Sequence, residues 1–261
     1  MGRTIVITAG KGGVGKTTIT ANVGASLSKI GKSTVVLDMD IGLRNLDVVM
    51  GLENRVVYNV IDVIEGRCKI PQALVRDKVL DNLFLMPASQ IHKKEDVNID
   101  KLVEVVSFLE SNFDYVLLDS PAGIEKGFDS SVAPAKEALI VVTPDISSVR
   151  DADRVVGIIE SKGIFSISLV VNRYDINLIS KKKSLDYESI VNILGIEPIG
   201  VVPEDKMVIE TTNRGEILAN YMPGSPAAKE FNLIARRIEG EDIPIKVDSP
   251  RGFFGNIFRR E

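Results

Sequence analysis

Gly10-Lys11-Gly12-Gly13-Val14-Gly15-Lys16-Thr17-Thr18 decides how the rest of the 261-residue chain is read. It follows the apolar run Ile5-Val6-Ile7 and precedes a helix-like segment, Ile19 to Lys29, so a glycine-rich loop joins a strand to a helix and ends in Lys and Thr. That arrangement builds a phosphate site. Glycines let the loop curl until successive backbone N–H groups face an anion, and the positive end of the next helix adds to the attraction. Lys16 is placed to reach the β- and γ-phosphates, and the Thr17 hydroxyl is a hard oxygen suited to Mg²⁺. The expected ligand is Mg²⁺ with a nucleoside triphosphate. Gly10, Gly12 and Gly15 also spell the dinucleotide pattern, with Asp38 near the place of its ribose-binding acid. Lys16-Thr17 argues against that reading, because a pyrophosphate without a metal needs neither group directly after the third glycine.

Working outward, short apolar strands alternate with amphipathic stretches, the pattern of a parallel sheet covered on both faces. Strands are expected over 4–8, 34–38, 83–86, 115–119, 138–143, 168–172 and 199–202, and helices over 16–29, 60–65, 100–111, 149–161, 187–194 and 227–239. In the third of these helices Leu102, Val103, Val105, Val106 and Leu109 read as the buried face. The fold class is α/β: a single doubly wound, mostly parallel sheet flanked by helices, spanning 1–240.

In such sheets ligand chemistry collects at the carboxyl ends of the strands. Val35-Val36-Leu37 runs into Asp38-Met39-Asp40, Val116-Leu117-Leu118 into Asp119-Ser120-Pro121, and Val170-Val171 into Asn172-Arg173. Asp119 has the position of a Walker-B acid steadying Mg²⁺. Asp38 and Asp40 stand two apart and share a side if the strand continues, so one is available to an attacking water and the other to the metal or the loop. Spacing does not assign the two roles.

Composition limits the function classes. With 44% apolar residues a sizeable core is expected, and a net charge of −4 argues against a general nucleic-acid binder. No apolar run approaches the roughly 20 residues that span a bilayer. No secretory leader is expected, because residues 4 to 9 read as a strand entering the loop, and Val6 stands where a myristoylation pattern needs Ser or Thr. The single Cys68 rules out an intramolecular disulfide and a same-chain thiolate cluster, as suits a reducing cytosol. His92, beside Lys93 and Lys94, reads as a surface residue.

The end of the chain has its own character. Glu241 to Pro250 is polar and twice interrupted by Pro, which reads as a linker. Three of the nine phenylalanines then fall within six residues, in Arg251-Gly252-Phe253-Phe254-Gly255-Asn256-Ile257-Phe258-Arg259-Arg260. On a helix Phe253, Phe254, Ile257 and Phe258 fill an arc of roughly 140°, bordered by Arg251 and Arg260. Residues 251–261 are therefore expected to form an amphipathic membrane-targeting helix, with Arg259 among the basic groups facing anionic lipid. Burying four large apolar side chains yields on the order of 6 to 12 kcal/mol gross. Ordering ten residues costs about 1 kcal/mol or more each. One tail should bind weakly, and two tails presented together should bind ~10²-fold or more tightly.

The extra lysine in Lys11-Gly12-Gly13-Val14-Gly15-Lys16-Thr17-Thr18 is the deviant Walker-A form. With Asp38-Met39-Asp40-Ile41-Gly42, Leu118-Asp119-Ser120-Pro121-Ala122-Gly123 and Val202-Pro203-Glu204-Asp205, the chain resembles the MinD family of cell-division ATPases over essentially its whole length. The resemblance implies ATP hydrolysis used as a switch. Residues 11–18 hold the nucleotide, Lys11 crosses an ATP-bound homodimer to the partner's phosphates, and Asp40 positions the hydrolytic water. Thr17, Asp40 and Asp119 form the Mg²⁺ set, and Asn172, Pro203 and Asp205 frame the adenine. It further implies MinC as inhibitor cargo, MinE or an equivalent as stimulator, a partner surface near Asp151 and Asp153, and shuttling between the cytoplasm and the inner face of the cytoplasmic membrane. Iron–sulfur relatives need cysteines this chain lacks, and ParA-like partitioning proteins need a basic surface for DNA. Flagellar-number ATPases share the switch and the tail, but usually carry an extension before the loop. A P-loop ligase or kinase acting on a small metabolite is the reading from a different class, and it gives the tail no purpose.

Overall fold

A computed structural model describes residues 2–124 and 127–247. Its strands are β1 (Arg3–Thr8), β2 (Thr34–Asp38), β3 (Val75–Arg76), β4 (Leu83–Met86), β5 (Tyr115–Asp119), β6 (Glu137–Val142), β7 (Ile167–Tyr174) and β8 (Pro198–Pro203). Its α-helices are α1 (Lys16–Lys29), α2 (Leu46–Val49), α3 (Val60–Ile64), α4 (Ile70–Ala73), α5 (Ile99–Asn112), α6 (Phe128–Val132), α7 (Ile146–Ser161), α8 (Ile176–Ser180), α9 (Tyr187–Leu194), α10 (Lys206–Asn213), α11 (Leu218–Tyr221) and α12 (Pro226–Ile238).

The strands form one eight-stranded sheet, ordered β3-β4-β2-β5-β1-β6-β7-β8. Every pairing is parallel except β3 with β4. Both faces are buried, and the period of two sorts each strand's side chains between two cores. Ile5, Ile7, Val36 and Leu117 join α1 and α12 on one face. Val6, Val35, Leu37, Val116 and Leu118 join α5, α7 and α9 on the other. All seven expected strands are present, as are all six expected helices. β3 was not expected, being only two residues long.

Two helices differ in detail from the sequence reading. Val103 is exposed while Leu102, Val105, Val106 and Leu109 are buried, because residue 103 lies off the stripe that these four mark on α5. And α7 begins at Ile146 rather than near Val149, since the Asp145 carboxylate caps it by accepting from the Ser148 N–H at 2.9 Å.

At the edge of the sheet opposite the strands' carboxyl ends, Lys32 pairs with Glu239, and Tyr115 donates to the same carboxylate, tying the end of α12 to the sheet. Residues 241–247, read as the start of a linker, lie against the body. The Arg237 guanidinium donates to the carbonyls of Ile243 (2.9 Å) and Pro244 (3.3 Å), and Ile245 and Val247 pack on the core. Arg251, Phe253, Phe254, Ile257, Phe258, Arg259 and Arg260 lie outside the described residues. Among the described residues, no helix is long and apolar enough to cross a membrane.

Candidate functional site

The sheet brings three loops to one point. Asp119, at the end of β5, is level with Ile7 of β1 on one side and with Asp38 of β2 on the other. The glycine loop after β1 and the acidic turn after β2 therefore flank the Asp119 carboxylate.

The loop is shaped by close contacts as well as by its own dihedrals. Gly13 and Gly15 have φ of 78° and 95°, the left-handed region that glycine enters without strain. Gly10 lies against α7 so closely that an added Cβ would stand 2.4 Å from the Asp151 carbonyl carbon. Asp151 thus buttresses the loop through its backbone, while Asp153 is exposed one helical step further on. On the other flank the Asn172 amide donates to the Val14 carbonyl at 2.7 Å. The N-cap of α1 is Gly15, which offers no side-chain acceptor. The first N–H groups of that helix, through Thr17 and Thr18, are accordingly left for an anion.

Lys16 is only 8% exposed. Burial pushes its ammonium pKa down, while the negative charges of Asp119 and Asp40 push back up. Asp119 is 2% exposed, and burial together with the Asp38 charge raises its pKa to about 7, against opposing help from the Thr17 hydroxyl, Lys16 and Thr20. Two buried carboxylates side by side, with a threonine hydroxyl next to one of them, are a hard-oxygen set that a divalent cation fits. Of the expected Mg²⁺ set, Thr17 and Asp119 are hydrogen-bonded to each other and could hold the ion, while Asp40 is paired with Lys94.

The geometry separates the two acids that spacing left open. Asp38 is 1% exposed and spends its carboxylate on the turn that follows it. One oxygen accepts from the Asp40 N–H at 2.9 Å, and the other accepts from the N–H groups of Asn45 and Leu46 at 3.0 and 3.1 Å. Burial raises its pKa to about 6 despite these bonds. Asp40 makes no such investment. Its Oδ1 lies 2.8 Å from the ammonium of Lys94, a residue the sequence marked only as a neighbour of His92.

Lys11 is held within its own chain, donating to Asp145 Oδ1 and to Ser147 Oγ, each at 2.8 Å. Burial works to raise the Asp145 carboxyl, but the hydrogen bonds from Lys11, Thr143, Ser148 and Ser147 hold it well below the usual carboxylate range. Lys11 and Asp145 also border a cleft of about 400 Å³ that runs from the loop to Arg173 and Glu204. Arg173 has φ of 60° and pairs with Glu204 at 2.8 Å. Pro203 closes β8, and Asp205 caps α10, accepting from the Met207 N–H at 3.0 Å. These last residues stand on the Asn172 side of the glycine loop, across β7 and β8. Sequence reasoning missed Asp145 and Ser147. The Asp-x-x-Ser spacing of a helix N-cap was the available signal.

Comparison with known proteins places this arrangement. The family model of the CobQ/CobB/MinD/ParA nucleotide binding domain matches residues 5–218. The septum site-determining protein MinD of Synechocystis sp. is 49% identical over 244 residues, covering 94% of this chain and 92% of that protein. The chain belongs to the MinD family. Among solved MinD-family structures, the MinC:MinD cell division protein complex of Aquifex aeolicus matches with a TM-score of 0.88 at 47% identity, covering 94% of this chain and 99% of that one. MinD of Pyrococcus horikoshii, complexed with Mg-ADP, matches with a TM-score of 0.82 at 29% identity, covering 92% and 96%. The MinD-family assignment agrees with the eight-stranded, mostly parallel sheet and with the glycine loop set over buried acids.

Proposed function

We infer that this chain is a MinD-family ATPase, with ATP and Mg²⁺ as its cofactors, that recruits MinC in placing the division site. The observation that carries the reading is Lys16, buried at the foot of an uncapped helix among Asp119, Asp38 and Asp40. A cation sunk among carboxylates costs solvation, and a phosphate chain laid against the loop N–H groups gives that charge a partner. The MinC:MinD and Mg-ADP complexes of the Aquifex and Pyrococcus relatives support the same assignment.

The chain's own residues divide the work. The N–H groups of residues 12–18 and the Lys16 ammonium hold the phosphates, with Thr17 and Asp119 as the Mg²⁺ ligands. The metal, when bound, neutralises charge on the phosphate oxygens. Asp38 fixes the turn, which leaves Asp40 to orient the attacking water. Asn172, Pro203 and Asp205 border the side on which the base is placed.

Lys11 supplies the switch. It is tied to Asp145 and Ser147 at the surface of one copy, and in an ATP-bound homodimer it leaves them for the partner's phosphates, neutralising charge as an arginine finger does. Pairing presents two tails of residues 251–261 to anionic lipid at the inner face of the cytoplasmic membrane, and hydrolysis separates the copies and releases them to the cytoplasm. MinE or an equivalent protein accelerates that release, and the surface carrying Asp151 and Asp153 receives the partners.

Sedimentation with anionic vesicles tests this. The intact chain should pellet several-fold more with ATP than with ADP, while Lys11→Ala and a chain ending at Pro250 stay in solution with either nucleotide. Equal pelleting with both nucleotides contradicts the switch, and pelleting of the shortened chain contradicts the anchor.

A further inference from the structure

Lys94 lies on none of the glycine, Walker-B or acidic segments, yet the fold carries it to the site. β4 lies next to β2 in the sheet, so the loop leaving β4 passes over the turn that holds Asp38 and Asp40. The two segments are joined where the Gly42 N–H donates to the Ser89 carbonyl at 2.7 Å. Beyond that bond the chain makes a 3₁₀ turn over Lys94–Asp96, whose start is fixed by the Lys93 N–H donating to Asp96 Oδ2 at 2.8 Å. The Lys94 stem crosses Gly127, where an added Cβ would stand 3.0 Å from Lys94 Cδ. Its ammonium ends 2.8 Å from Asp40 Oδ1, with the two side chains 27% and 19% exposed. The charge also acts on Lys16: after burial, Asp119 and Asp40, Lys94 is the further group that influences that ammonium.

The backbone of Asp40 is already fixed. Its N–H is held by Asp38, and its carbonyl accepts from the N–H groups of Leu43 and Arg44, each at 3.1 Å. Only the side chain can still turn. Its Oδ1 is buried and makes no aligned hydrogen bond, so the Lys94 charge is what restrains it. A partly buried ion pair is screened less than a surface one, and it leaves the second carboxylate oxygen free to accept from a water.

We propose that Lys94 is a positioning residue for ATP hydrolysis: it holds the Asp40 carboxylate in place, with one oxygen on the ammonium and the other presented to the attacking water. This rests on the reading of Asp40 as the acid that orients that water. With one oxygen on the ammonium, Asp40 is placed to orient a water, which suits phosphoryl transfer, where positioning dominates. The opposite role is a brake, with Lys94 holding Asp40 out of use, and the two make opposite predictions.

The test is a double-mutant cycle on the full chain, measuring phosphate release at saturating and limiting ATP. K94M keeps the stem that packs on Gly127 and removes the charge. It should lower kcat by about 10- to 100-fold with KM for ATP within about twofold of the parent, the scale expected when a reacting group loses its alignment. K94R should recover most of the loss. D40N tests the underlying reading on its own and should lower kcat by about 10²-fold or more, to a residual rate that phosphate release still measures; if it does not, that reading fails whatever Lys94 does. In the D40N background K94M should cost nothing more, because Lys94 acts through Asp40. An unchanged or raised kcat in K94M, a loss carried by KM, a loss that multiplies with D40N, or K94M that no longer pairs with a non-hydrolysable ATP analogue would each overturn the proposal.

Discussion

Lys16→Ala should reduce ATP turnover and nucleotide affinity by about 10²- to 10³-fold, the scale seen when a single preorganised group is removed from a charged transition state. The reason is the company that the side chain keeps. Asp119 and Asp38 are buried within the same site, and each is held above the ordinary carboxylate pKa mainly by that burial. With Lys16 gone, the triphosphate would have to enter a pocket that contains Asp38, Asp40 and Asp119, with Lys94 already paired to Asp40. Binding of a fluorescent ATP analogue and phosphate release measure the two losses separately. Turnover within twofold of the parent would show that the glycine loop does not hold the reacting phosphates.

Gly10→Ala should be the most damaging change of a single methyl. The new carbon would stand 2.4 Å from both the carbonyl carbon and the Cβ of Asp151, and 2.5 Å from the carbonyl oxygen. A side-chain tip can swing away from such a contact. The backbone of α7 cannot, because Ala152, Val155 and Ile159 lock that helix into the core. Overpacking of this kind costs about 1 to 3 kcal/mol when the surroundings yield. For a domain of this size each kcal/mol lowers Tm by about 2 to 4 °C. The cost to function should exceed the cost to stability, because the loop is the part free to move, and moving it turns the N–H groups off the phosphates. A melt of the apo protein and a nucleotide titration check the two parts. Normal affinity with a normal Tm would mean that the loop does not rest on α7 as described.

Much of this architecture is legible in the chain because its signals repeat. The parallel strands are built on short apolar runs, three of which end in Thr8, Asp38 and Asp119, and the long helices carry a stripe wide enough to read, as Leu102, Val105, Val106 and Leu109 do on α5. The elements that escape, β3, α2, α4, α6, α8, α10 and α11, are all short, although α3 and α9 of similar length are legible; two to eight residues leave little room to establish a period. The glycine loop is readable because its chemistry is contiguous. The remainder of the site is not, because it depends on which oxygen of which acid is already spent. Asp38 and Asp40 look equivalent until three backbone N–H groups are found on Asp38. Lys94, read only as a neighbour of His92, gains its role once β4 is set beside β2. Residues 241–247 look like a linker because Pro244 interrupts the alternation of Ile243, Ile245 and Val247, and Arg237 restores order by bonding the carbonyls of Ile243 and Pro244.

In the proposed switch two copies share one pair of triphosphates, with Lys11 exchanged from Asp145 and Ser147 to the neighbour's site. Light scattering reads this directly as molar mass, at micromolar protein with Mg²⁺ and either a non-hydrolysable ATP analogue or ADP. The chain should double in mass with the analogue and remain single with ADP, and Lys11→Ala should remain single with both while still binding nucleotide. A parent chain that saturates with the analogue and stays monomeric would contradict the account at its centre.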